Sequence, residues 1–189
     1  MQKFLHFIDP LLSFIDTGKV FRRPIEVIYG LIAVLLLIAP IFIFIGAAKN
    51  GIFRAGFSGV MSFLLLWLVI VFACWVAFQL WWNRKNQLAE HNNEGDEFVA
   101  TPVISHLIQT IGEWLGITIA IMGVGISLIG SIFDYTDRLI YTLDLPDIFN
   151  TSLWGLIIAP VTGLLVLIIL RLLSEQIKAL VSIANNTKK

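Results

Sequence analysis

Charged residues divide the chain into four long apolar stretches. No charge occurs in residues 27–48, 55–83, 114–133 or 148–170, stretches of 22, 29, 20 and 23 residues. A charge at the centre of a bilayer costs about 2.5–3.5 kcal/mol on insertion scales. A helix of about 20 apolar residues crosses the ~30 Å hydrocarbon core, so all four stretches are long enough. In lipid the backbone amides of each span must find partners within that span, which makes it helical. Buried helices of a soluble protein would carry polar stripes at helical period. The first and last stretches carry almost none.

The expected fold is therefore all-α: a polytopic membrane protein with a four-transmembrane-helix bundle. The spans are placed at about 27–48, 57–82, 104–133 and 149–173. Beyond Arg171 the pattern Leu172, Leu173, Glu175, Ile177, Lys178, Leu180, Val181, Ile183 stays helical. The last span should then extend to about 184, inside a single domain covering 25–184 and followed by a short tail, 185–189.

Residues 1–24 read differently. Gln2, His6, Asp9, Ser13 and Asp16 recur at steps of four, three, four and three, with apolar residues filling the rest. This narrow polar stripe on an apolar helix predicts an amphipathic segment lying in the membrane interface, with Arg22 and Arg23 at the headgroups. Pro10 bends or restarts it. Asp9 and Asp16 interrupt what a cleaved signal peptide would need as an apolar core.

Lys and Arg set the orientation. Lys3, Lys19, Arg22, Arg23, Arg84, Lys85, Arg171, Lys178, Lys188 and Lys189 fall on one side, ten in all; Lys49, Arg54 and Arg138 fall on the other. The positive-inside rule then places both termini in the cytoplasm. Trp81, Trp82, Trp114 and Trp154 stand at span ends, where an indole keeps its ring in lipid and its N–H in water. Trp67 and Trp75 lie too deep for that role and are expected to pack or face lipid.

The third span is unlike the others. His106, Gln109, Glu113, Gly116, Ala120, Gly123, Ser127, Gly130 and Asp134 recur at alternating steps of three and four, and each is small or polar. Steps averaging 3.5 hold this seam on one helical face. Two causes fit. Small residues let helix backbones approach closely in lipid. Alternatively, the seam lines a polar path with His106, Gln109 and Glu113 as its polar or ionisable groups. Close packing is the first expectation, with Glu113, Gly116, Ala120, Gly123, Ser127 and Gly130 against another helix. On this reading a leucine at Gly123 disrupts assembly.

Two further features are weaker. Pro40 and Pro160 sit in Leu-Ile-Ala-Pro-Ile and Ile-Ile-Ala-Pro-Val, which hints at an inverted pair of hairpins. Five apolar residues carry little weight for a repeat. Residues 90–97 mimic the start of a calcium loop, but Thr101 stands where the bidentate Glu of that loop is needed. A flexible hydrophilic linker is the better reading. Asn150 and Asn185 match the glycosylation pattern, the first too close to the membrane and the second on the cytoplasmic side.

Composition narrows the function. The chain is 58% hydrophobic and 14% charged, with a mean hydropathy of +0.87. Soluble domains carry about a quarter charged residues. Thirteen basic residues against thirteen acidic ones leave no net charge to hold a nucleic acid. The single Cys74 forbids an internal disulfide and a cysteine metal cage. No HExxH, GxSxG, phosphate-loop or CxxC motif occurs, so neither an enzyme nor a metal or cofactor is expected. The expected partners are the bilayer and another membrane protein or copies of the chain itself. The economy of loops suggests a bacterial inner-membrane accessory subunit or homo-oligomer. The alternative is a small oligomeric ion or proton channel, or a transporter, using Glu113.

Overall fold

The computed structural model describes residues 19–90, 100–133 and 153–187, together with Tyr141 and Leu143. Its ordered elements are four long helices: α1 (Lys19–Lys49), α2 (Gly56–Glu90), α3 (Ala100–Ile132) and α4 (Gly155–Thr187). Each is long and apolar enough to cross a membrane. The interfacial segment expected before residue 19, the linker 91–99 and most of the loop 134–152 lie outside the described residues, as does Asp134 at the end of the seam.

The helices overrun the charge-free stretches. α1 starts at Lys19 and passes through Arg22, Arg23 and Pro24 before entering the apolar run, and α2 continues past Arg84 and Lys85 to Glu90. A helix needs no apolar residue to continue, so charges mark the end of the apolar run and not the end of the helix. α4 begins at Gly155 after a turn at Leu153–Trp154, later than the expected residue 149. Leu153 and Trp154, inside its apolar run, are therefore not part of the helix, and residues 148–152 lie outside the described residues.

A tight turn joins α1 to α2. Ile52–Arg54 forms one turn of 3-10 helix, and its Ile52 side chain is buried. Gly51 and Gly56 bracket it, both at φ 76°. A Cβ at either position would meet nothing within 4 Å, so the demand is conformational and not steric. Left-handed backbone costs an L-residue roughly 1–2 kcal/mol. Gly51→Ala and Gly56→Ala should each lower stability by about that amount, read as a shift in the unfolding transition in detergent.

Packing follows chain order. α1 lies on α2, α2 on α3 and α3 on α4; α4 makes its extensive contact with α3 and does not close back onto α1. The bundle is thus open, with α3 at its centre. The α3–α4 contact is the largest and is built on backbone approach. A Cβ on Gly116 would stand 2.5 Å from the Gly163 carbonyl oxygen, and a Cβ on Gly163 would strike the Gly116 carbonyl. One turn nearer the α3 N-terminus, a Cβ on Gly112 would stand 2.5 Å from Leu170 Cβ. Ser105 continues the same antiparallel ladder, donating to the Ser174 carbonyl at 2.8 Å and bonding to its hydroxyl. Lipid tails are as apolar as leucine, so what holds these helices is close van der Waals contact and hydrogen bonding.

Toward the other end of the bundle, α2 and α3 share an apolar core. Phe63, Leu66, Ile70 and Ala73 pack on Met122, Ile126 and Ile129, with Ile52 beneath them. An aromatic cluster of Phe44, Phe53, Phe63 and Trp67 closes the α1–α2 end. Trp67 donates its Nε1–H to the Pro40 carbonyl oxygen at 2.9 Å. That bond explains a tryptophan deep in its span: it ties α2 to α1 at Pro40. Trp75 faces outward and stacks on Phe78 at 5.8 Å. Pro160, in contrast, lines an apolar groove. The matching proline pentapeptides thus sit in unlike surroundings.

Candidate functional site

Four helix ends meet where the bundle carries most of its polar side chains. The α1 N-terminal half brings Tyr29, and the C-terminal part of α2 brings Trp81, Arg84 and Gln87. The first half of α3 brings Ser105, His106, Gln109, Thr110 and Glu113, and the last turns of α4 bring Ser174 and Lys178. Antiparallel packing of consecutive helices makes this convergence unavoidable. Successive connections alternate between the two ends of the bundle, so these segments share one level.

Glu113 is the centre. Its carboxylate accepts from Arg84 Nε at 2.9 Å and from Arg84 Nη2 at 2.5 and 2.6 Å. The pair is a fork-to-fork geometry that only arginine provides. Gln109, one turn away, donates Nε2–H to Glu113 Oε1 at 3.0 Å. Its own Oε1 accepts from Lys178 Nζ at 3.0 Å. Arg84 Nη1 donates outward to Gln87 at 2.7 Å. The line Gln87–Arg84–Glu113–Gln109–Lys178 therefore joins α2, α3 and α4 through side chains alone. The Glu113 side chain is 12% exposed and that of Arg84 23%. Both are part-buried, Glu113 the more so.

A second line joins α1 to α3. The Tyr29 hydroxyl lies 3.1 Å from His106 Nδ1 and 3.2 Å from Thr110 Oγ1, to which it donates. Thr110 in turn donates to the His106 carbonyl at 2.8 Å. Tyr29 is fully buried, its ring stacked on the His106 imidazole and met edge-on by Trp81 at 5.0 Å. Trp81 also meets Trp114 at 5.9 Å.

Trp81 corrects the expectation of a wet interfacial indole. It is 1% exposed, and its Nε1 has no hydrogen-bond partner among the described residues. The rings of Tyr29 and Trp114 pack on it instead in T-shaped contacts. Its neighbour Trp82 differs. It is exposed, and Lys85 Nζ lies 4.6 Å over its ring, a cation–π contact. Trp154 is likewise exposed at the far end.

The seam divides into two parts. Its polar residues His106, Gln109 and Glu113 come together here, on partners from α1, α2 and α4 that sequence spacing could not name. Its small residues continue away from this end. Gly116 and Ala120 meet Gly163, and Gly123 and Ser127 are buried within the chain. Gly130 is half-buried near the end of α3. A leucine at Gly123 would therefore act first on packing inside this chain. Gly125, off the seam, is also in close contact: a Cβ there would stand 2.5 Å from Val69 Cγ1 on α2. Among the described residues, no group of three or more His, Cys, Asp or Glu could hold a metal ion.

Compared with protein-family models, with curated proteins and with solved structures, the chain matches none.

Proposed function

We propose that the protein works by helix–helix contact in the membrane, as an accessory subunit of another membrane chain or as a homo-oligomer. The observation that carries this reading is the state of Glu113. Both of its oxygens are engaged by Arg84 and Gln109. A carboxylate held this way is a strut between α2 and α3, not a group presented to a solute. What the chain presents instead is apolar surface, notably the face of α4 turned away from α3, with Ile157, Leu164, Leu165, Ile168 and Leu172 exposed.

The polar end carries Arg23, Arg84, Lys85, Arg171 and Lys178, whereas Lys49 and Arg54 lie at the other. The positive-inside rule supports a cytoplasmic polar end, with both termini inside, in a bacterial inner membrane. The amphipathic pattern of residues 1–24 fits an interfacial anchor on the same side.

Extraction in mild detergent tests this reading. Mass photometry of the affinity-purified particle should give a multiple of 21.2 kDa, or a second membrane chain should co-purify. A monomer in native nanodiscs with no co-purified chain overturns it. The second reading, an ion or proton pathway using Glu113, is favoured by the placement of this carboxylate within the bundle, 12% exposed. It requires that Glu113→Gln alter flux in proteoliposomes, and it fails if the wild-type protein passes no ion or solute.

A further inference from the structure

An open apolar groove of about 560 Å³ lies over α3, between α2 and α4. Its volume is in the range of about 300–1,000 Å³ typical of small-molecule sites. Leu68 and Phe72 form one wall, Pro160 stands on the other, and Ala120, Ile121 and Val124 line the floor. A groove of hydrocarbon-facing side chains in a membrane helix bundle is filled by lipid tails in any case. The question is whether this one selects its lipid.

Helical register ties the groove to the polar end. On α3, Ala120 and Val124 stand one turn apart on the groove floor, whereas the stretch of this helix between Glu113 and Ala120 is closed by the contact of Gly116 with Gly163. On α4, Pro160 and Lys178 are 18 residues apart, about five turns at 3.6 residues per turn, and share a face. At 1.5 Å per residue, Ala120 and Val124 lie about 10 and 16 Å deeper than Glu113 along α3. Lys178 stands about 34 Å from Gly155 along α4, just beyond the ~30 Å hydrocarbon core and hence at headgroup level. It is exposed, and one of its three protons goes to Gln109. With Arg84 and Glu113 the cluster sums to one positive charge.

We infer that this face of the bundle is a binding site for an anionic phospholipid. The phosphate sits at Lys178 beside the outward edge of Arg84, and one acyl chain runs along α4 toward Pro160 and into the groove. Charge complementarity selects the headgroup. The groove adds little preference of its own, because a lipid tail loses no water by leaving the bilayer for an apolar wall. Headgroup selectivity should therefore depend on Lys178, and retention of any lipid at this site on open groove volume. The inference rests on the four helices crossing a membrane. It does not depend on which side the polar end faces, nor on whether the protein oligomerises.

Native mass spectrometry of the detergent-solubilised chain, with phosphatidylglycerol and phosphatidylcholine of equal chain length added in competition, tests it. Phosphatidylglycerol should be retained preferentially. Lys178→Gln should cut that preference about fivefold, the equivalent of the ~1 kcal/mol that one cation near the surface contributes. Leu68→Trp, a change at an exposed groove wall that leaves the helix contacts intact, should lower retention of both lipids. Equal retention of the two lipids by the wild-type chain overturns the inference. So does a phosphatidylglycerol preference unchanged in both variants, which would place the headgroup elsewhere. Loss of a dimer in Leu68→Trp with lipid retention unaltered would show that a second copy, not a lipid, occupies the groove.

Discussion

Replacing Gly163 by leucine is expected to force α3 and α4 apart and to lower stability by about 3 kcal/mol or more, the top of the overpacking range. At this position the obstruction is the Gly116 carbonyl, with Ala120 Cβ 3.3 Å from the added carbon. Backbone cannot rotate away as a flexible side chain could. The whole α3–α4 contact must therefore separate, and that contact is the largest in the molecule. Nothing else in the described residues holds α4 as extensively. The loss should appear as earlier release of α4 in a denaturant titration followed by cysteine accessibility at a site on its α3-facing side. Gly163→Ala should show the same direction at smaller size. If Gly163→Leu unfolds with the wild-type transition, the two backbones are not in contact.

The second large effect concerns the ion pair, and it should be asymmetric. Removing Arg84 as Arg84→Met leaves a short carboxylate on α3, 12% exposed, without its cation. Breaking a buried pair from one side costs about 3–5 kcal/mol. Arg84 keeps 23% exposure and the pair lies near the boundary, so about 2–3 kcal/mol is expected here. Removing the acid as Glu113→Leu should cost less. The long Arg84 side chain already reaches Gln87 on its outer side and can extend to the headgroups. The double variant Arg84→Met with Glu113→Leu should recover most of the loss, since two apolar side chains need no partner in that setting. A double-mutant cycle on unfolding free energy measures the coupling. Equal single losses with full additivity would mean that the pair is not a strut.

Much of this protein was legible in its pattern of charges, because lipid imposes a single strong rule on every residue it touches. That the chain forms four helices long enough to cross a membrane follows from the spacing of Glu26, Lys49, Arg54, Arg84, Glu113, Asp134, Asp147 and Arg171 alone. Helix ends were less legible. α1 and α2 run on through charged residues because water tolerates a helix as well as lipid does. The seam of α3 was also visible in sequence, since small and polar residues at steps averaging 3.5 can only share one face. Its partners were not visible. Spacing within α3 cannot say that Gly116 meets Gly163, nor that Glu113 meets Arg84 and not the equally near Lys85. Those pairings depend on how far each helix slides and turns against the next, which contacts between helices decide. Solvent wrote the helices into the sequence through one-body costs, residue by residue. The backbone contact and the Arg84–Glu113–Gln109–Lys178 chain are two-body facts, and only the packed molecule contains them.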